Sequence, residues 1–220
     1  GKEAPSVAER PALDRWILAE LHALVEAVDT GLGGYDVTGS ARRIAEFVDD
    51  LSNWYVRRSR RRFWRSEHDT DKSAAYATLY ECLTTLSRLL APFCPFVTEE
   101  MYRNLVGSVD MGAPESVHLT TFPVADRALV DRELTEDMRL AMRLVSLGHA
   151  ARNKAGLKVR QPLAEAVVRV RTAAEGERLL RYADTIADEL NVKAVRVAGE
   201  EAGLVGYQVK PNPALLGKRY

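Results

Sequence analysis

Between Val37 and Tyr55 the apolar residues Val37, Ala41, Ile44, Val48, Leu51 and Tyr55 recur at three- and four-residue steps, and the same stripe then meets Arg58 and Arg62. Steps of three and four mark one face of an α-helix. The spacing predicts a single helix over about 36–64 whose buried seam turns cationic at its C-terminal end. A seam of this kind must be covered by other elements, so the chain is expected to pack helix on helix.

The cationic end is dense. Residues 51–65 read LSNWYVRRSRRRFWR, with Arg57, Arg58, Arg60, Arg61, Arg62 and Arg65 interleaved with Trp54, Tyr55, Phe63 and Trp64. The whole chain carries 31 basic and 31 acidic side chains, so its formal net charge is zero and the block is a local device. Guanidinium forks match phosphate geometry, and aromatic faces stack on unpaired bases. That combination suits single-stranded or looped RNA. A helix C-terminus favours cations by ~0.3–1 kcal/mol each, but six neighbouring guanidiniums repel one another, which implies an anionic partner in the working state. The candidate contacts are Trp54, Arg57, Arg58, Arg61, Arg62 and Trp64. Tyr55 continues the apolar seam and is assigned to the core. The competing reading is a solvated charged face, in which Arg58 and Arg62 pair with carboxylates of the bundle such as Asp49 or Glu99.

Four further helices are expected before residue 156. Leu13, Trp16, Ile17, Leu21, Leu24, Val25 and Val28 place one over about 11–30, begun at Pro11 and stopped by Gly31, Gly33 and Gly34. Another covers about 72–91, capped by Thr70 or Asp71, with Tyr76, Leu79, Tyr80, Leu83, Leu86 and Leu90 inward. A short one covers about 96–106, with Phe96, Val97, Met101, Tyr102 and Leu105 on its apolar side. After an irregular connection over 107–130, in which Val117–Phe122 suggests a short extended piece, a helix over about 131–155 follows. Its end, ARNKAGLKVRQPL, holds a second, shorter basic cluster: Arg152, Lys154, Lys158 and Arg160.

Composition changes after that cluster. Ala166–Arg171 and Val192–Ala198 alternate as half-exposed strands do, with a helical period over 173–190 between them and a third strand suggested at Leu204–Val209. The expected architecture is mainly α: a helical bundle over 1–161, then a small α+β domain over 162–220 that stops at Lys218-Arg219-Tyr220 without an evident domain end.

Several classes are disfavoured. No apolar run reaches the ~18 residues that span a membrane, and the acidic first 30 residues lack the apolar region of a secretory signal. Cys82 and Cys94 are twelve positions apart, which is no zinc spacing; both are expected to be small buried hydrophobes. The four histidines are scattered, and no Gly-rich phosphate loop or catalytic constellation stands out.

Taken in order, LDRWIL (Leu13–Leu18), YDVT (Tyr35–Thr38), FVDDLSNWYVRRSRRRFW (Phe47–Trp64), LLAPFCPFVTEEMY (Leu89–Tyr102), SVHL (Ser116–Leu119), ARNKAGLKVRQPL (Ala151–Leu163) and VKPNPALLGKRY (Val209–Tyr220) span nearly the whole chain. Together they resemble the anticodon-binding region of isoleucyl-tRNA synthetases, most closely the bacterial branch whose sequences are similar to the eukaryotic enzyme. Valyl and leucyl synthetases share the helical fold and the DRWIL- and LAPFxPF-like stretches, so the equivalent valyl domain is the alternative within this class. A helical protein-interaction module without RNA binding is the alternative from another class.

The resemblance implies a C-terminal part of a class I aminoacyl-tRNA synthetase. It implies a helical bundle that binds the anticodon stem-loop of tRNA-Ile through the arginine block, with Arg152, Lys154, Lys158 and Arg160 holding the tRNA backbone. The family's HIGH-like and KMSKS-like signatures are missing here, as is the editing domain. ATP and Mg would therefore be used by a catalytic domain outside these residues, which hold no cofactor of their own. The enzyme implied is a cytoplasmic monomer that attaches isoleucine to its tRNA, with its own catalytic domain as the chain's other partner.

Overall fold

In the computed structural model, residues 4–64 and 69–198 are described. The chain divides into two compact units, 1–136 and 137–220. The compositional change expected at 162 falls inside the second unit.

The first unit is built around α1, Ala12–Gly33. Its first half is buried nearly all round: Trp16, Ile17, Leu18 and Leu21 have no exposed surface. A helix apolar on one stripe covers a core, whereas one enclosed on every side is the core. The turn that follows places Tyr35 at a left-handed φ of 61°, and the Asp36 side chain caps α2 by accepting from the Gly39 amide at 2.8 Å. Gly31 is required here: a Cβ on it would lie 2.4 Å from the Ser40 hydroxyl, so only glycine lets the start of α2 approach α1 so closely.

α2 (Val37–Asp50), a π turn over Leu51–Val56 and α3 (Arg57–Trp64) follow one another with helical backbone throughout. The long helix expected over 36–64 is present, but the π turn is a feature the periodicity did not anticipate. A π turn takes more residues per revolution and sets everything after it back in phase. The inward positions therefore run Ile44, Phe47, Leu51, Tyr55 and Ser59. Ser59, not Arg58, takes the buried place.

α4 (Thr70–Leu90) is capped by Asp69, whose side chain accepts from the Lys72 amide at 2.8 Å; the cap falls one residue before Thr70. Its buried face is made of Ala74, Ala75, Thr78, Cys82, Thr85, Leu86, Ser87 and Leu89, while Tyr76 and Tyr80 point outward. Both tyrosines were expected inward. Small residues win the inner face because they let the helices close up, and each tyrosine hydroxyl instead reaches a backbone carbonyl, Tyr76 that of Phe63 and Tyr80 that of Leu105.

α5 (Pro95–Tyr102) continues into a π turn over Arg103–Gly107. Phe96 and Val97, expected to face inward, are exposed; Tyr102 is buried as expected, and Thr98 is buried with it. Cys82 is buried as expected, but Cys94 is exposed, because it precedes the first turn of α5 rather than lying within a helix face. The connection over 107–130 is irregular as expected. Val117–Leu119 is a 3₁₀ turn rather than an extended piece, because Ser116 caps it by accepting from the His118 amide. Glu99 fixes this connection by accepting from the Ser116 hydroxyl at 2.8 Å and the Val117 amide at 3.0 Å. These bonds, the serine's first, hold its carboxyl below the usual carboxylate range.

α6 (Arg132–Lys154) begins at the end of the first unit and supplies the long helix of the second. In the second unit β1 (Ala166–Val168) pairs in parallel with β2 (Val195–Val197), with Ala166 opposite Val195. The crossover is two helices, α7 (Ala173–Leu180) and α8 (Ala183–Leu190), where one was expected; Arg181 and Tyr182 break it. Gly148 of α6 lies against Leu190, since a Cβ there would fall 2.5 Å from Leu190 Cδ2. The strand expected at Leu204–Val209 lies outside the described residues.

Candidate nucleic-acid interface

The arginine block occupies the last two turns of the long helix in the first unit. Arg57, Arg60, Arg61 and Trp64 are exposed, and Trp64 presents 79% of its surface. Arg60 and Arg61 form no ion pair with any described residue. Trp54 is buried and serves as a floor: the guanidiniums of Arg57 and Arg58 lie over its ring at 5.9 and 5.4 Å from the centroid. Cation–π contact of this kind offsets part of the repulsion between neighbouring arginines. Arg57 is further oriented by donating from Nε to the Asn53 carbonyl at 2.8 Å.

Arg62 behaves differently from its neighbours. Its Nη1 and Nη2 donate to Asp14 Oδ1 and Oδ2 at 2.6 and 2.7 Å, a two-pronged pair with a carboxylate that has no exposed surface. Its Nε lies 2.9 Å from Asp71 Oδ1. The Tyr55 hydroxyl donates to the same Asp14 oxygen at 3.0 Å. Burial and the Asp14 carboxylate push the Tyr55 phenol far above its ordinary value. Burial works against the Arg62 cation, but its bonds to Asp14 and Asp71 outweigh that and hold it charged. The partners are Asp14 and Asp71, not the Asp49 or Glu99 considered from sequence. Arg62 is thus committed to the interior of the bundle.

α4 adds a second wall that sequence reasoning missed. Phe63 and Tyr76 meet edge to face at 5.2 Å, and the Lys72 ammonium lies 5.9 Å from the Tyr76 ring centroid. The signal was available in the i, i+4 spacing of Lys72 and Tyr76, but the apolar period assigns Tyr76 to the core. Asp14 was legible as the one carboxylate in the apolar first turns of α1, within LDRW.

In the second unit the other four expected residues separate. Lys154, Lys158 and Arg160 are exposed. Arg152 is 4% exposed and donates to four backbone carbonyls, those of Lys158, Gln161, Leu190 and Asn191, at 2.7–3.1 Å. It closes the loop after α6 onto the end of α8 and has no face left for a ligand. Among the described residues no group of three or more His, Cys, Asp or Glu is placed to hold a metal ion, and no helix is long and apolar enough to cross a membrane.

The first unit is thus a helical bundle whose long second helix ends in an arginine and tryptophan surface, and the sequence comparisons say to which class it belongs. Residues 14–168 match the family described as the anticodon-binding domain of tRNA ligase, and the chain belongs to that family. Three of its relatives are isoleucine–tRNA ligases. It is 62% identical over 199 residues to that of Dehalococcoides mccartyi (strain ATCC BAA-2266 / KCTC 15142 / 195), covering 90% of this chain and 19% of the relative. It is 49% identical over 220 residues to that of Thermus thermophilus, covering 100% and 21%. It is 48% identical over 208 residues to that of Clostridium acetobutylicum, covering 94% and 20%. The chain spans about a fifth of the length of these relatives.

Proposed function

We propose that this chain is the part of an isoleucine–tRNA ligase that binds the anticodon stem-loop of tRNA-Ile. The observation that carries the proposal is the cationic, aromatic end of the long helix, where Arg57, Arg60, Arg61 and Trp64 are exposed together above a Trp54 floor. An anticodon loop offers unpaired bases and closely spaced phosphates, and these are the two things such a surface engages. The identity of the relatives supports isoleucine over valine. Within this reading, joining isoleucine to the tRNA with ATP and Mg belongs to a catalytic domain outside these residues. The assembled enzyme works as a monomer in the cytoplasm.

The test is binding of the chain to tRNA-Ile and tRNA-Val across a salt series, alongside a variant with Arg57, Arg60 and Arg61 changed to alanine. Three lost phosphate contacts lower the slope of log K against log salt by about 2, at roughly 0.7 per contact for single-stranded RNA. A preference for tRNA-Ile assigns the anticodon. A folded variant with an unchanged slope would refute the placement of the RNA on this helix end.

A further inference from the structure

The short α3 carries five of the arginines, yet only Ser59 among its residues is buried. A helix end that is polar on nearly every side and internally repulsive does not hold its own orientation. Apolar packing contributes little here beyond the half-buried Phe63 against Tyr76. Beside the Tyr76 hydroxyl's bond to the Phe63 carbonyl, α3 is tied by the Arg62 fork: both prongs on Asp14 of α1, and Nε and Nη2 on the Asp71 side chain and carbonyl in the first turn of α4. Tyr55, one turn before α3, bonds to the same Asp14 carboxylate.

We infer that Asp14 is a positioning residue for RNA binding: through Arg62 it orients the end of the long helix so that Arg57, Arg60, Arg61 and Trp64 face the RNA as one surface. The inference rests on the RNA-binding reading above and names a residue that touches no RNA. A buried two-pronged carboxylate pair fixes both the distance and the rotation of the helix it grips, which a single point contact does not.

Charge alone and positioning predict opposite signs for the same variant. Asp14→Asn removes a negative charge and frees the Arg62 guanidinium, so on charge alone it tightens binding to any RNA. Positioning requires the reverse: affinity of the 220-residue chain for tRNA falls about tenfold, within the usual range for coupled groups. The salt slope also falls although no cation has been removed. Arg62→Lys is the companion variant. It keeps the charge but loses the fork, and it is expected to bind as weakly as Asp14→Asn. Affinities are measured at a temperature where circular dichroism shows each protein folded, so loss of folded protein does not mimic loss of affinity.

If wild type binds tRNA and a folded Asp14→Asn binds as tightly or more tightly, positioning is overturned and the RNA reading stands. If wild type binds no tRNA, the RNA reading itself has failed. Should Asp14→Asn not fold, Arg62→Lys decides: retained affinity makes Arg62 a direct phosphate contact and refutes the inference. Should neither fold, Asp71→Asn leaves the buried pair in place and removes the outer anchor. Weaker binding then supports positioning, and unchanged or tighter binding overturns it.

Discussion

The two basic clusters look alike as sequence and differ in how each treats its inward arginine. In the first, Arg62 meets a buried carboxylate, Asp14, so one full charge is neutralised by another. In the second, Arg152 donates instead to four backbone carbonyls. Two of these, on Leu190 and Asn191, sit at the C-terminal end of α8, where helix carbonyls lack intrahelical partners and carry partial negative charge. Both arrangements satisfy a buried guanidinium. The carboxylate version creates a mutual dependence, because each ion loses its buried partner when the other is removed. The carbonyl version creates a one-way dependence, because the carbonyls exist whatever residue stands at 152.

The largest expected effect tests that mutual dependence. Changing Asp14 or Arg62 alone to leucine costs about 3–5 kcal/mol, since Arg62→Leu leaves Asp14 an unpaired buried charge and Asp14→Leu leaves Arg62 only the more exposed Asp71. The double variant recovers about half of the summed cost, because apolar residues replace the pair without leaving a charge behind. Urea denaturation of the three proteins measures this, and strictly additive losses would end the case for a coupled pair.

Next in size is Arg152→Ala, which leaves four carbonyls to find other donors. It costs about 1–3 kcal/mol, as unsatisfied buried polar groups do. The cost should appear as faster hydrogen exchange at the end of α8 and in β2. No single partner change should rescue it, in contrast to the first cluster. Full stability combined with weakened tRNA binding would show that Arg152 faces RNA after all.

The smallest stability effect belongs to the exposed members of the second cluster. Changing Lys154, Lys158 and Arg160 together to alanine shifts stability by no more than about 0.5 kcal/mol per site. If these residues hold backbone, the triple variant weakens binding to tRNA-Ile and tRNA-Val alike, because phosphate contacts carry no sequence information. A loss confined to tRNA-Ile would assign them to base reading instead.

The long helices were legible because burial leaves a periodic trace: α1, the α2–α3 run, α4 and α6 all lie within a few residues of where the three- and four-residue spacing puts them. The phase within a helix was less legible. The π turn at 51–56 moved the inner stripe from Arg58 to Ser59, and nothing in a hydrophobic period announces one extra residue in a turn. On α4 the eye follows tyrosines and leucines, whereas the buried stripe is built on Ala75, Thr78 and Cys82, which allow close approach. The break at Arg181 and Tyr182 was hidden because the apolar pattern continues across it.

For the site, the residue types and their density along the chain determined that a strongly cationic, aromatic surface exists at one helix end, since no arrangement buries six arginines in nine residues. Tertiary structure alone decided which arginine turns inward. That choice depends on where a distant carboxylate lies: Asp14 is 48 positions from Arg62 in sequence and 2.6 Å from it in space. A local pattern sets what a segment can present. Only the folded chain brings up the opposite charge that makes burying one of those cations favourable.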